Sequence, residues 1–225
     1  LSKKYYKNGK IHEEGSFVNA NLHSINGSFC KRYYQDEQIH EEGTFENGTI
    51  HSINGTLCKR YYRNGKVFDE GTYYNGKLHS INGLVCKRYY DNEIIESEGH
   101  FKNDLLSSIG SSICKKYHKN GKIKFEGTFK NDKFHSVNGS ICKGFFDNGN
   151  KVIEGTFKDG KPHSINGSIC KKYYSKNYPY KSHLKRCLVY QEEQENKFDM
   201  LGNFMTDLKN ELKNDFRNEL FKMIN

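Results

Sequence analysis

A 28-residue repeat constrains the fold of this chain more than any other feature. Six of the seven cysteines recur at that step, at Cys30, Cys58, Cys86, Cys114, Cys142 and Cys170. The segment HSINGSICKKYY at 163–174 also occurs, with few changes, at 23–34, 51–62 and 79–90. An internal period of this length indicates units that stack on their neighbours, so the array of units must supply the core.

The segments between the repeated turns have the composition of β-strands. Each unit carries Asn-Gly or a close substitute at three places, shown by Asn64-Gly65, Asn75-Gly76 and Asn82-Gly83. Asn-Gly favours the positive φ angles of type I′ turns between antiparallel strands, and the intervening segments are rich in Tyr, Ile, Phe and Thr. We predict a mainly β fold, an elongated ribbon of tandem antiparallel β-hairpins. Asn82-Gly83 is predicted to be a bend or bulge within a long strand.

The turns also predict a pairing register. If the first two of these Asn-Gly pairs are two-residue turns, each turn fixes which residues of its two flanking strands lie opposite one another. The predicted partners are Lys59 and Glu70, Arg60 and Asp69, Tyr61 and Phe68, Tyr62 and Val67, Tyr73 and Leu78, and Thr72 and His79. Two of these pairs join opposite charges, which favours the register.

The pattern resembles a known repeat family. The stretch YYRNGKVFDEGTYYNGKLHSING at 61–83 is similar to the MORN repeat, in particular its bacterial-type variant with the pattern YYxNGKxxxEGxFxNGKxHG. The resemblance covers residues 1 to about 177 and implies stacked β-hairpins in a non-enzymatic protein-binding scaffold. It also implies two other roles, phospholipid contact and the antitoxin function often assigned to the variant. Unlike the family pattern, most units carry Ser-Ile-Asn-Gly, as at 80–83, in place of the single Gly after His; the fourth unit departs further, with Ser107 in place of His and Gly110-Ser111 in place of Asn-Gly.

The chain is predicted to have three parts: a repeat array at 1–177, an irregular linker at 178–196 and an amphipathic helix at 197–225. Apolar residues recur every three or four positions in the last part, as expected for one face of a helix. The predicted helix interface comprises Leu201, Phe204, Leu208, Leu212, Phe216 and Leu220. Two roles stay open: the helix caps the last hairpin, or it pairs in parallel with a second copy to give a homodimer.

The periodic cysteines and histidines are predicted to be structural. With two strands per unit, equivalent residues lie about 9.5 Å apart, beyond the Cα separation of a disulfide. Reduced thiols favour a cytoplasmic location; in a parallel solenoid, with neighbours about 4.8 Å apart, this argument lapses. One histidine per unit cannot supply the several ligands that zinc needs. We therefore expect no metal, no cofactor and no catalytic set, and hence no enzyme.

The net charge of +9 raises the question of nucleic-acid binding. A basic column beginning at Lys3 and Lys31 repeats through the array. The predicted register sets a glutamate opposite most of these lysines, so an ion-pair ladder is favoured over phosphate binding. Nucleic acid is therefore an unlikely partner.

The aromatic pairs are the predicted partner-binding residues. A thin ribbon cannot cover both of its own faces, so one aromatic face should stay partly exposed unless another molecule docks there. The candidates are Tyr33, Tyr34, Tyr61, Tyr62, Tyr89, Tyr90, Phe145 and Phe146. The favoured function is a protein-interaction scaffold. The alternatives are an antitoxin or immunity protein, and a peripheral module that binds acidic phospholipid through basic residues such as Lys181, Lys185 and Arg186.

Overall fold

The long strands of successive units pair into one sheet. The computed structural model describes residues 1–163 and 170–173. In these ranges thirteen antiparallel strands follow one another in chain order, two from each of the six units and one after the last. These strands are Ser2–Tyr5, Ile11–Gly15, Cys30–Tyr33, Ile39–Gly43, Cys58–Tyr61, Val67–Gly71, Cys86–Tyr89, Ile95–Gly99, Cys114–Tyr117, Ile123–Gly127, Cys142–Phe145, Lys151–Gly155 and Lys171–Lys172. The prediction of a mainly β fold with tandem hairpin repeats is confirmed.

Each unit adds a short hairpin that does not join this sheet. The six short hairpins are Phe17–Val18 with Asn21–Leu22, Phe45–Glu46 with Thr49–Ile50, Tyr73–Tyr74 with Lys77–Leu78, Phe101–Lys102 with Leu105–Leu106, Phe129–Lys130 with Lys133–Phe134, and Phe157–Lys158 with Lys161–Pro162. Asn75 and Gly76 have φ angles of 47° and 77°, as a type I′ turn requires. The pairing of Tyr73 with Leu78 and the approach of His79 to Thr72 are as predicted.

The long hairpin follows the predicted register only in part. Lys59 pairs with Glu70 and Arg60 with Asp69 as predicted, but Tyr61 pairs with Val67. The predicted pairs of Tyr61 with Phe68 and of Tyr62 with Val67 are therefore wrong.

Two irregularities explain this difference. The amide of Tyr62 donates to the carbonyl of Lys66, and the amide of Gly65 donates to the carbonyl of Tyr62. The turn therefore holds three residues and ends on Gly65 with a φ of 80°, the usual three-residue hairpin loop. Phe68 is then the extra residue of a β-bulge, which restores the predicted alignment from Asp69 onward.

The third Asn-Gly pair forms a tight turn of its own. Asn82 and Gly83 have φ angles of 53° and 73°, and the Leu84 amide donates to the Ile81 carbonyl at 3.1 Å. In two earlier units the same turn is a 3₁₀ segment, Ile25–Gly27 and Ile53–Gly55. It lies between the short hairpin and the next long strand, so the prediction of a bulge within a long strand is wrong.

The core lies between the sheet and the short hairpins. Its buried members are Leu22, Cys30, Phe45, Ile50, Cys58, Tyr73, Leu78, Cys86, Phe101, Leu106, Cys114 and Phe129. We call the side of the sheet that carries Cys58 and packs against the short hairpins the covered face, and the opposite side the open face. The repeated glycine allows this close packing, because a Cβ on Gly71 would lie 2.5 Å from the Cys86 sulfur.

The C-terminal predictions lie outside the described residues. This applies to the end of the array at 177, the linker at 178–196 and the helix at 197–225 with its interface residues. Within the described ranges, no helix is both long and apolar enough to cross a bilayer.

Candidate interaction surfaces

The two aromatic columns lie on opposite faces of the sheet. Successive residues of a strand point to opposite sides, and the Arg60 guanidinium lies 5.1 Å from the ring centre of Tyr73 in the short hairpin. Arg60 is therefore on the covered face, and Lys59 and Tyr61 are on the open face. The sequence placed each aromatic pair on one surface, whereas the structure separates its two members.

The first aromatic column lies on the open face. We define it as Tyr33, Tyr61, Tyr89, Tyr117 and Phe145. Each tyrosine donates its hydroxyl proton to a glutamate of the preceding unit: Tyr33 to Glu14, Tyr61 to Glu42, Tyr89 to Glu70 and Tyr117 to Glu98. Burial and the hydrogen bond to Glu14 raise the pKa of Tyr33 to about 12. The rings are half-buried and held in fixed positions.

The second aromatic column lies toward the covered face and joins consecutive units. We define it as Tyr6, Tyr34, Tyr62, Tyr90 and Phe146. Its tyrosine hydroxyls donate to main-chain carbonyls 27 residues ahead, as from Tyr34 to Tyr61 and from Tyr62 to Tyr89, both at 2.8 Å. The Tyr62 ring also packs edge-on against Phe68, with 5.1 Å between ring centres. This column therefore has a structural role between units.

Lysine and glutamate form an alternating ladder on the open face. Glu70 lies opposite Lys59 on one side and Lys87 on the other, and the adjoining pairs follow the same order. Ion pairs in the ladder are 3.6–3.9 Å long: Lys3–Glu14, Lys31–Glu42, Lys59–Glu70, Lys115–Glu98 and Lys143–Glu126. The ladder predicted from the register is confirmed, and it balances the charge of the basic column.

A buried charge cluster lies on the covered face near the middle of the array. Asp69 is fully buried and accepts hydrogen bonds from Arg60 at 2.6 Å and from Arg88 of the next unit at 3.4 Å. The Tyr73 hydroxyl also donates to Asp69, and burial together with that carboxylate raises the pKa of Tyr73. The sequence predicted the Arg60–Asp69 pair, but not its link to the next unit through Arg88 and Asp104.

The cysteines and histidines serve the core and the unit boundaries. Cys58 is fully buried, and its sulfur lies 3.6 Å from the Ser52 hydroxyl. Burial raises the pKa of the Cys114 thiol, which disfavours the reactive thiolate.

The histidines connect neighbouring units. The main-chain amide of His51 donates to the Thr44 carbonyl, and its ring nitrogen accepts from the main-chain amide of Asn75 in the next unit. Among the described side chains, none of the His, Cys, Asp and Glu groupings could hold a metal ion.

A row of exposed apolar side chains follows the third turn of each unit. In the first five units the residue before the column cysteine is 45–58% exposed, which applies to Phe29, Leu57, Val85, Ile113 and Ile141. Ile25, Leu84 and Ile109 in the adjoining turns are also exposed. We call these eight residues the apolar ridge. Sequence reasoning missed it, although an apolar residue immediately before every cysteine of the column was the available signal.

This arrangement defines a class of protein, an antiparallel array of tandem β-hairpin repeats. The family described as MORN repeat variant matches residues 1–19, 56–75, 84–103 and 113–131, and the family described as MORN repeat matches 154–164. The chain therefore contains MORN repeats along its array. No curated protein matches it. MORN repeats are typically non-enzymatic and are consistent with a scaffold or a protein- or membrane-binding role.

Proposed function

We propose that the repeat array is a non-enzymatic scaffold that binds another protein on its open face. The observation that carries this proposal is the absence of any described element over that face, while the short hairpins occupy the opposite one. A sheet of thirteen strands offers a long, continuous surface with the same side chains at each unit. Such a surface suits a partner that contacts several units at once.

The first aromatic column supplies suitable anchor residues. Tyrosine is enriched at the centres of protein interfaces, because its ring buries apolar area and its hydroxyl satisfies a polar partner. The Tyr61 and Tyr89 hydroxyls are fixed by Glu42 and Glu70 of the preceding units. A partner therefore meets rings that are already ordered, which reduces the entropic cost of binding.

The test is capture of the partner followed by paired substitutions. The tagged full-length protein is purified from its native extract at moderate salt, and a stoichiometric companion is identified by mass spectrometry. Binding is then measured for Tyr61→Ala with Tyr89→Ala, against the matched control Tyr62→Ala with Tyr90→Ala. Each pair removes two rings and two hydrogen bonds between units, so both should lower thermal stability.

Only the first pair should weaken partner binding beyond its effect on stability, by at least about tenfold for two interface tyrosines. Equal loss of binding in both pairs, or no protein companion at all, would contradict the proposal. Neutralisation of a toxin is a particular form of the same proposal, and a companion that arrests growth when expressed alone would support it.

The membrane alternative makes a different prediction. Acidic lipid attracts unpaired basic side chains, but the lysines of the open face alternate with glutamates such as Glu42 and Glu70. We therefore expect the open face to contribute little to sedimentation with anionic vesicles. The basic residues named for this alternative, Lys181, Lys185 and Arg186, lie outside the described residues, and their replacement by glutamine tests it separately. The buried free thiols of the array fit a reducing compartment, so the proposed scaffold acts in the cytoplasm.

A further inference from the structure

The apolar ridge is built by the part of the unit that departs from the family pattern. The residue before the cysteine contributes in each of the first five units, and the turns of the first, third and fourth units add Ile25, Leu84 and Ile109. In the second unit the Ile53 amide donates to the Thr44 hydroxyl at 3.1 Å, and the Thr56 amide donates to the Ile53 carbonyl. Leu84 would be in van der Waals contact with a side chain at Gly55, so successive turns adjoin.

We propose that the apolar ridge is a self-association surface, on which a second copy of this chain packs its own ridge. The spacing is the first argument. Each step along the ridge crosses two strands, or about 9.5 Å. A second copy has the same 28-residue period, so its apolar side chains stay aligned with these over every shared unit. A two-fold pairing of this kind is isologous and closes at a dimer.

Charge is the second argument. The five segments of the ridge, residues 24–29, 52–57, 80–85, 108–113 and 136–141, contain no Asp, Glu, Lys or Arg. The whole chain carries a net charge of +9, so two copies repel each other over much of their surface. The ridge is a strip where they approach without that cost. Beside it, lysine and glutamate alternate at every strand of the ladder, so that neighbouring strip adds little net repulsion between copies.

Area is the third argument. The eight ridge side chains are each 40–58% exposed, which corresponds to roughly 60–90 Å² of apolar surface apiece on the usual transfer scale. The row therefore offers about 500–700 Å² per chain before the half-exposed Ile53, Ile81 and Val137 are included. A standard stable interface buries about 800 Å² per partner. The ridge therefore supplies most of the area of a standard interface, and it is at the upper end of the apolar patches found on monomeric proteins.

Sedimentation velocity of the full-length protein at concentrations between about 1 and about 100 µM tests the proposal, because a dimer of modest affinity has its dissociation constant in that range. The ridge variant combines Leu57→Lys with Ile113→Lys. The matched control combines Tyr74→Lys with Leu105→Lys, which are exposed apolar residues of the short hairpins and add the same charge. Circular dichroism confirms that both variants are folded.

The wild type and the control should dimerise, while the ridge variant should be monomeric or associate at least about 100-fold more weakly. A wild type that is monomeric throughout, or a ridge variant that dimerises like the control, would overturn the proposal. So would a dimer that survives in the ridge variant and dissociates with Leu208→Glu, because that result assigns association to the helix predicted at 197–225. Partner binding is read out separately, since its test residues lie in the aromatic columns.

Discussion

Replacing Gly71 with alanine should weaken the contact between two consecutive units. Gly71 has a φ of 153°, and a Cβ there would lie 2.5 Å from the sulfur, 2.6 Å from the Cβ and 3.1 Å from the Cα of Cys86 in the next unit. The backbone angle costs a residue with a side chain about 1–3 kcal/mol, and overpacking a filled site costs about 1–3 kcal/mol more. We expect a loss of about 2–6 kcal/mol in the free energy of unfolding.

Urea denaturation followed by far-ultraviolet circular dichroism measures this loss, since the chain has no tryptophan. The matched control is Gly83→Ala, because Gly83 has a φ of 73° but a Cβ there would meet nothing within 4 Å. The control should lose only the conformational cost of about 1–3 kcal/mol. Trimming the neighbour to glycine in Gly71→Ala/Cys86→Gly should cost less than the sum of the two single substitutions. If Gly71→Ala and Gly83→Ala are equally destabilising and the double variant is additive, the close approach of Gly71 to Cys86 does not limit packing.

Three further predictions follow from contacts between units. Asp69→Ala should destabilise the fold by about 3–5 kcal/mol, because it leaves Arg60 and Arg88 without their buried partner. The control Asp91→Ala breaks an exposed pair with Lys119 and should cost at most about 1 kcal/mol. Similar losses of both variants in urea denaturation would refute this prediction. Tyr62→Phe should lower the free energy of unfolding by about 0.5–1.5 kcal/mol, because it removes the hydrogen bond to the Tyr89 carbonyl. The control Tyr74→Phe, at an exposed site, should lower it by no more than about 0.5 kcal/mol. Equal melting temperatures of the two variants would contradict this prediction. Because the pKa of Tyr33 in the folded protein is raised to about 12 from 10.0, the stability contributed by the protonated Tyr33 should be complete below pH 10 and lost as the pH rises toward 12. Ultraviolet titration of tyrosine alongside circular dichroism measures this. Ionisation of Tyr33 near pH 10 without unfolding would count against it.

The sequence predicts the fold class because period and turn chemistry are local properties. It predicts Lys59 opposite Glu70, and the structure agrees. It fails for Tyr61, since Asn64-Gly65 is compatible with both a two-residue and a three-residue turn, and nothing local marks Phe68 as a bulge residue. The charged pairs were predicted correctly because the longer turn and the bulge shift the register in opposite directions.

The candidate surfaces were harder to predict because they depend on which face the short hairpins cover. Tyr61 and Tyr62 are neighbouring residues of the same type, and the sequence does not distinguish their roles. The Tyr61 hydroxyl contacts Glu42 of the preceding unit, whereas the Tyr62 hydroxyl contacts the Tyr89 carbonyl of the next. These contacts span 19 and 27 residues and follow from the stacking of units, which no single unit encodes. The apolar ridge was missed for the same reason, because an apolar residue beside a buried cysteine is normally expected in the core.

The hydrogen bonds that join consecutive units have an evolutionary consequence. The second-column tyrosines reach a carbonyl 27 residues ahead at each of four boundaries, and the His118 ring makes the equivalent contact with the Phe145 carbonyl at the next. Deleting or duplicating one whole unit of 28 residues among the first four would leave this tyrosine contact intact at the new boundary. The near-identical copies invite such events through unequal recombination of the coding sequence. The array can therefore change the length of its surface in steps of about 9.5 Å without requiring any compensating substitution.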